Sequence, residues 1–409
     1  MTRCAQILSL CVLLTLSGMS GAFGQAVVER GSCPEIGEWL DPATGGEIEP
    51  EQLKASLARR PVVLLGEEHD NADHHRWQLQ MLAALHAYRS DMIIGFEMFP
   101  RRVQNVLDQW SAGKLSVAEF LKQSDWERVW GFDPELYLPL FHFARQNRIP
   151  MIALNLDRSV VRRIGHEGWD KLSPDERGGI SRPADASGAY LKSLADVWRQ
   201  HRERGIGGEK PEKTLSMEEV LKDEAFKRFV ATQQVWDRAM AESLAAARKK
   251  NPDALIVGVM GQGHIEYGHG VPHQLRDLGI GDAASLIPFE AGPDCAELPK
   301  GIADAAFIVA PRDRRKSAPA RPRLGVLIEN ADKGVKITRV VAGSVAEAST
   351  LEAGDVVVSA AGRKVEKISD LIEIVLRQAP GTWLPLRILR GDSELEVVAR
   401  FPVKFGESN

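Results

Sequence analysis

Pro61-Val62-Val63-Leu64-Leu65-Gly66-Glu67-Glu68-His69 is an uninterrupted apolar run that breaks at a glycine into two acids and a histidine. A short run of this kind, followed by the longer amphipathic stretch 73–88, predicts a buried strand and the helix that returns from it. The same alternation recurs outward along the chain. Met92-Ile93-Ile94-Gly95-Phe96, Pro150-Met151-Ile152-Ala153-Leu154, Ala254-Leu255-Ile256-Val257-Gly258-Val259 and residues 284–288 read as further strands. Strands alternating with helices predict an α/β domain with a mostly parallel sheet and flanking helices. A long helical insertion separates the third and fourth strands, and its last helix is expected to run unbroken over residues 217–250.

The polar residues that follow these strands are the chemically informative ones. The first strand ends in Glu67, Glu68 and His69, the second in Glu97, the third in Asn155, and the fourth in Gly261-Gln262-Gly263-His264. In an open parallel sheet ligands bind beyond the carboxyl ends of the strands, so all four clusters are expected at one rim. Glu67, His69, Glu97 and His264 are therefore predicted to converge on one cavity. They supply oxygen and nitrogen donors suited to a divalent metal, or carboxylate–imidazole pairs for proton transfer. Any one of them taken alone reads equally well as part of a polar cap on the sheet; four strand ends together favour a site. Glu68 is expected to face away, because adjacent extended residues point to opposite sides. His74 and His75 are expected to be solvated, with His74 nearer the rim. Trp236 and Met240 read as a core-facing stripe, and Asp237 as an acceptor that orients a histidine.

With 409 residues the chain exceeds what one hydrophobic core organises, and two domains are expected. The 44% hydrophobic and 26% charged composition is that of a globular protein, and a net charge of −4 excludes the basic field that nucleic acid requires. Arg3, the apolar stretch 7–16 and the small residues up to Gly24 form a secretory signal over 1–24, too short to span a membrane, with cleavage after Gly24 or Ala26. The protein is accordingly expected to be soluble and periplasmic. A lipid anchor is not expected: Cys11 lies inside the apolar core, and Cys33 follows Arg30-Gly31-Ser32. After cleavage Cys33 and Cys295 remain, a pair able to form a disulfide in an oxidising compartment. Residues 25–49 then form an N-terminal extension, 50–300 the α/β domain and 301–322 a linker rich in Pro, Ala and basic residues. Residues 323–404 form a small β-rich domain with one helix over 369–378.

Six ordered segments resemble the ChaN-like haem-binding uptake domain, in a superfamily with the Tiki and TraB proteins and the erythromycin esterases. They are Leu65-Gly66-Glu67-Glu68-His69-Asp70-Asn71, Phe96-Glu97-Met98-Phe99, Trp130-Gly131-Phe132-Asp133, Ile152-Ala153-Leu154-Asn155, the run 233–241, and Gly261-Gln262-Gly263-His264-Ile265-Glu266-Tyr267-Gly268. The ChaN-like resemblance implies haem binding linked to iron acquisition. The Tiki-like side implies metal-dependent peptide hydrolysis, with Glu67, His69, Glu97 and His264 as metal ligands and catalytic residues. Haem requires an axial ligand, for which Tyr267 and His269 are candidates, with Asn155 as a further cofactor contact. Unlike many ChaN-like proteins, this chain lacks an acylation signal.

Arg323-Leu324-Gly325-Val326-Leu327-Ile328, Val340-Val341-Ala342-Gly343-Ser344 and Leu351-Glu352-Ala353-Gly354-Asp355 resemble a bacterial PDZ domain. That resemblance implies peptide capture by strand addition along Leu324, Gly325, Val326, Leu327 and Ile328, with the helix as the opposite wall. Ala348-Ser349-Thr350-Leu351 departs from the family's shorter turn, and no trypsin-like His/Asp/Ser domain precedes it. Three functions stay open: a haem or small-ligand binding protein docked through its PDZ module, a metal-dependent hydrolase, and a scaffold. The partners expected are a peptide or protein C-terminus and haem or another small molecule, with a homodimer left open, and neither nucleic acid nor a transmembrane segment.

Overall fold

In the computed structural model, which describes residues 33–203, 215–291, 298–312 and 322–403, consecutive residues of the first predicted strand face two different cores. Val63 and Leu65 pack with Trp77, Phe96 and Phe141 on one face; Val62 and Leu64 pack with Ile256, Leu244 and Met240 on the other. A strand covered on both sides has no solvent face, which is why its sequence shows no polar alternation. The secretory signal and Cys295 lie outside the described residues; Cys33 is disulfide-bonded.

The chain divides into two compact units, residues 1–312 and 313–409. The first holds a seven-stranded sheet in the order β1-β7-β6-β2-β5-β3-β4. These are β1 Trp39–Leu40, β2 Val62–Leu65, β3 Met92–Pro100, β4 Met151–Asn155, β5 Leu255–Val259, β6 Ala283–Glu290 and β7 Ala305–Val309. All neighbours are parallel except β1 and β7. The mostly parallel α/β sheet is as expected, but two boundaries need correction. Part of the predicted linker 301–322 is β7, whose Ala305, Ala306 and Ile308 are buried beside β6. Part of the predicted extension is β1, which covers the outer edge of β7. β1, of two residues, is the edge strand and β7, of five, lies between it and β6; both are too short for periodicity to show. Arg312, exposed at the end of this unit, makes a two-pronged ion pair with Asp70 at 2.9 and 3.1 Å.

The expected long helix is two helices, Met217–Lys222 and Glu224–Lys250, broken where Asp223 adopts an extended conformation and its carboxylate accepts from the amides of Ala225 and Phe226. Among the described residues no helix is long and apolar enough to cross a membrane.

The second unit is an antiparallel sheet ordered β13-β12-β10-β9-β8, comprising β8 Val326–Ala331, β9 Gly334–Val340, β10 Val356–Ala360, β12 Trp383–Arg390 and β13 Ser393–Arg400, with β11 Arg363–Lys364 beside β10. The helix Ile368–Leu376 packs on it through Leu371, Ile374 and Val375, over a core that includes Val335, Ile337 and Leu386.

Candidate functional site

In the sheet order β5 lies between β2 and β3, which places the carboxyl ends of the strands preceding Glu67, His264 and Glu97 side by side. Glu97 is not at a strand end as expected. It lies within β3, where pairing with β4 slips between Phe96 and Pro100. A bulge of this kind re-aims a side chain, and it turns a carboxylate towards the rim from inside a buried strand.

Glu67 and Glu97 are buried, at 1% and 6% exposure. Glu67 Oε1 lies 2.5 Å from His69 Nδ1, so one imidazole nitrogen is fixed and the other faces Gly261 and Glu97. Glu97 Oε2 accepts the Gly261 amide at 2.7 Å, and its Oε1 is 3.4 Å from His264 Nε2. His264 Nδ1 is in turn 2.6 Å from Asp237 Oδ1, whose Oδ2 accepts from the Tyr190 hydroxyl at 2.8 Å. The structure thus gives Asp237 the orienting position on a histidine that its sequence context suggested.

These contacts decide the charge state. Burial pulls the His264 imidazole down, but the Glu97 charge and the Asp237 hydrogen bond overcome it and hold His264 well above an ordinary histidine. Glu97 shows the converse: burial raises its carboxyl, and His264 with the Gly261 amide brings it down to about 2. His69 also ends raised, because Glu67 and Glu97 outweigh its burial.

Gly261 is required by this geometry. A Cβ there would stand 2.8 Å from His69 Cε1, closer than carbon atoms approach.

Glu67, His69 and Glu97 each bring one ligand atom within 4.8 Å of the others. Glu67 Oε2 is buried and has no hydrogen-bond partner among the described residues, the condition a cation would relieve. The three residues therefore fit a divalent metal, and His264 stands beside them, engaged by Asp237 and Glu97. Glu68 does not line the cavity above them, whereas Asn155 does.

His74 and His75 are both buried, contrary to expectation. His74 Nδ1 accepts the Glu68 amide at 2.9 Å, while His75 reaches the His69 carbonyl at 3.2 Å and lies 3.9 Å from Glu67 Oε2. The helix carrying them, Ala72–Tyr88, packs its first turn against the strand end, so its polar side chains brace the 66–69 turn. Gln78 donates to the Leu65 carbonyl, and the Tyr137 hydroxyl to the His69 carbonyl. Trp130 and Phe132 meet the His69 ring edge-on at 4.6 and 5.2 Å. Tyr190 and Tyr137 carried no sequence signal as site residues because each reaches the rim from an element distant in sequence, and His75 and Gln78 because their contacts depend on how Ala72–Tyr88 packs on the turn before it.

Tyr267 and His269 do not line this cavity. They form a separate turn, with ring centroids 5.9 Å apart and Tyr267 at φ 55°, ψ 20°. Burial and the Glu266 charge raise the Tyr267 phenol; burial, with His273 and Arg276 nearby, lowers His269. Tyr190 joins the two places, its hydroxyl on Asp237 and its ring 5.2 Å from His269.

Residues 53–275 match the family model described as haem-binding uptake, Tiki superfamily, ChaN, and residues 322–399 match the PDZ domain model. Among solved structures, ChaN of Campylobacter jejuni with cofacial haem is 20% identical, with a TM-score of 0.50 over 66% of this chain and 96% of that one. The HtrA3 PDZ domain bound to a phage-derived ligand is 21% identical, with a TM-score of 0.18 over 20% of this chain and 84% of that one. The serine endoprotease from Yersinia pestis is 19% identical, with a TM-score of 0.19 over 22% of this chain and 31% of that one. The comparison with curated proteins returns no match. The chain belongs to the haem-binding uptake ChaN family of the Tiki superfamily and carries a PDZ domain after its family domain.

Proposed function

We propose that this protein is an exported haem-binding protein of iron uptake, docked by its PDZ domain to the C-terminus of a partner. The observation that carries the haem reading is the backbone of Tyr267. A bulky side chain at φ 55° is an outlier that costs of order 1–3 kcal/mol, a cost typically met at functional sites. Its half-buried phenol is an oxygen ligand suited to ferric haem. His269 is a second donor beside it, and the exposed Arg276, which donates to the Gly268 carbonyl at 2.7 Å, is a cation for a propionate. Bound haem supplies the iron to be taken up. In the Campylobacter jejuni protein haem binding is cofacial.

Haemin titration of the mature protein, followed at the Soret band, tests this. Replacing Tyr267→Ala and His269→Ala together is expected to weaken binding at least about ten-fold, or 1.4 kcal/mol. Unchanged affinity in that variant overturns the assignment.

The docking reading rests on β8, which pairs with β9 on one side only and leaves its other edge to an added strand. Leu327 of β8 and Ile372 and Leu376 of the helix are exposed apolar residues. Gly325, at φ 78° and with Ser344 Cβ 2.2 Å from where its own Cβ would stand, shapes the loop for a terminal carboxylate. Peptides with free and amidated C-termini are expected to differ in affinity for the PDZ domain; equal affinity would remove C-terminal recognition.

A second reading is favoured by the unpartnered Glu67 oxygen: a divalent cation held by Glu67, His69 and Glu97. Such an ion polarises a carbonyl or a water when bound, and His264, fixed by Asp237, would hold a proton beside it. Metal content after loading should fall in Glu67→Gln; retention of the ion would exclude this set of ligands.

A further inference from the structure

The strand-end cavity, about 550 Å³, is lined by neither Tyr267, His269 nor Glu67, and one of its walls is strongly basic. Four arginines line it: Arg102, Arg128, Arg158 and Arg162. Two are compensated. Arg102 pairs with Asp157 at 2.6 Å, and Arg128 with Asp125 at 2.6 Å. Arg158 and Arg162 have no acidic partner among the described residues, although the adjacent Arg163 pairs with both Glu167 and Glu176. They sit four residues apart, at the start of the helix Arg158–Glu167. Like charges at that spacing repel, and cations at a helix N-terminus oppose the helix dipole. The fold therefore keeps two uncompensated positive charges at a place where local energetics disfavour them.

The remaining lining explains what such charges would meet. Glu97, the carboxylate deeper in the cavity, is already satisfied by the Gly261 amide and His264. Trp130 and Phe132, with ring centroids 5.6 Å apart, offer an aromatic wall. His69 has one nitrogen on Glu67, and its other is turned towards Gly261 and Glu97.

We propose that this cavity binds a small organic anion. Its carboxylate or phosphate monoester group pairs with Arg158 and Arg162, and an attached flat apolar group lies on the Trp130–Phe132 wall. Arginine is suited to the first group because its planar fork matches both kinds of oxyanion. The site is separate from the Tyr267 turn, and the proposal stands whether or not haem binds there.

Calorimetric titration of the full mature chain with phenyl phosphate and with benzoate tests it. Binding of at least one probe at submillimolar concentration is expected, weakening as salt rises. It should weaken ten-fold or more in the double variant Arg158→Gln, Arg162→Gln, and remain unchanged in Arg163→Gln. Both arginines are exposed, so the double variant should keep the parent melting temperature. Phenyl phosphate alone binding would identify a phosphate ester as the ligand class; benzoate alone would identify a carboxylate. No heat from either probe at millimolar concentration, or equal affinity in the double variant, overturns the proposal. So does a double variant that loses haemin affinity while neither probe binds, since the arginines would then serve haem propionates. Loss of haemin binding on replacing Tyr267, with both probes still bound, would bear on the haem turn alone.

Discussion

Glu97 and His264 form a buried ion pair whose two ends titrate in opposite directions. The Glu97 carboxyl is held at about 2 in the folded protein, so its contribution is present above the unfolded carboxylate range and is lost as pH falls from about 4.3 towards 2. The His264 imidazole is raised, so its contribution is full below about 6.5 and is lost as pH rises through its folded value. Melting temperature against pH is therefore expected to fall on both sides, and Glu97→Gln should flatten the acid arm. An acid arm identical in the variant would show that Glu97 is not its source. The haem turn has its own signature, because a ligand must lose its proton to bind iron. With Tyr267 as ligand, haemin affinity should keep rising above neutral pH, since burial and the Glu266 charge make the phenol titrate higher than usual. A plateau below about 6.5 would assign the iron to His269, whose imidazole is lowered. Sequence reasoning reached Glu97 and His264 because each comes after an apolar run, and Tyr267 and His269 through the family resemblance. It missed Tyr190 and His75, whose roles depend on which helices pack over the rim.

At the scale of elements, polar residues decide where regular structure stops. Asp223 looked like one more charged residue in a helical stretch, yet its carboxylate caps Glu224–Lys250 and ends the helix before it. Asp223→Ala is expected to cost about 1 kcal/mol in chemical denaturation, with Asp223→Asn close to the parent. If neither substitution changes stability, packing rather than the cap holds the break. The register slip in β3 has a larger effect, since it falls where Glu97 is presented to the site from within a strand. Nothing in Phe96-Glu97-Met98-Phe99 announces it, because the slip depends on the register with β4.

For the molecule as a whole, two compact units whose buried clusters share no residue imply two cooperative units. Calorimetry is expected to resolve two transitions, with residues 322–403 expressed alone reproducing one of them. A single transition, or failure of the short chain to fold, would show that the second core is not self-sufficient. The parallel sheet, the PDZ domain and the sequence positions of Glu67, His69, Glu97 and His264 were set by the sequence alone. Burial on both faces of a strand, alternation in an antiparallel sheet and a polar residue after an apolar run all leave local patterns. Tertiary structure alone decided that β5 enters between β2 and β3, that Asp237 and Glu97 hold His264 between them, and that Arg158 and Arg162 stand without an acidic partner among the described residues. Those outcomes depend on strand order, register and helix placement, which are set by contacts between residues far apart in the chain and so leave no trace in any short stretch of it.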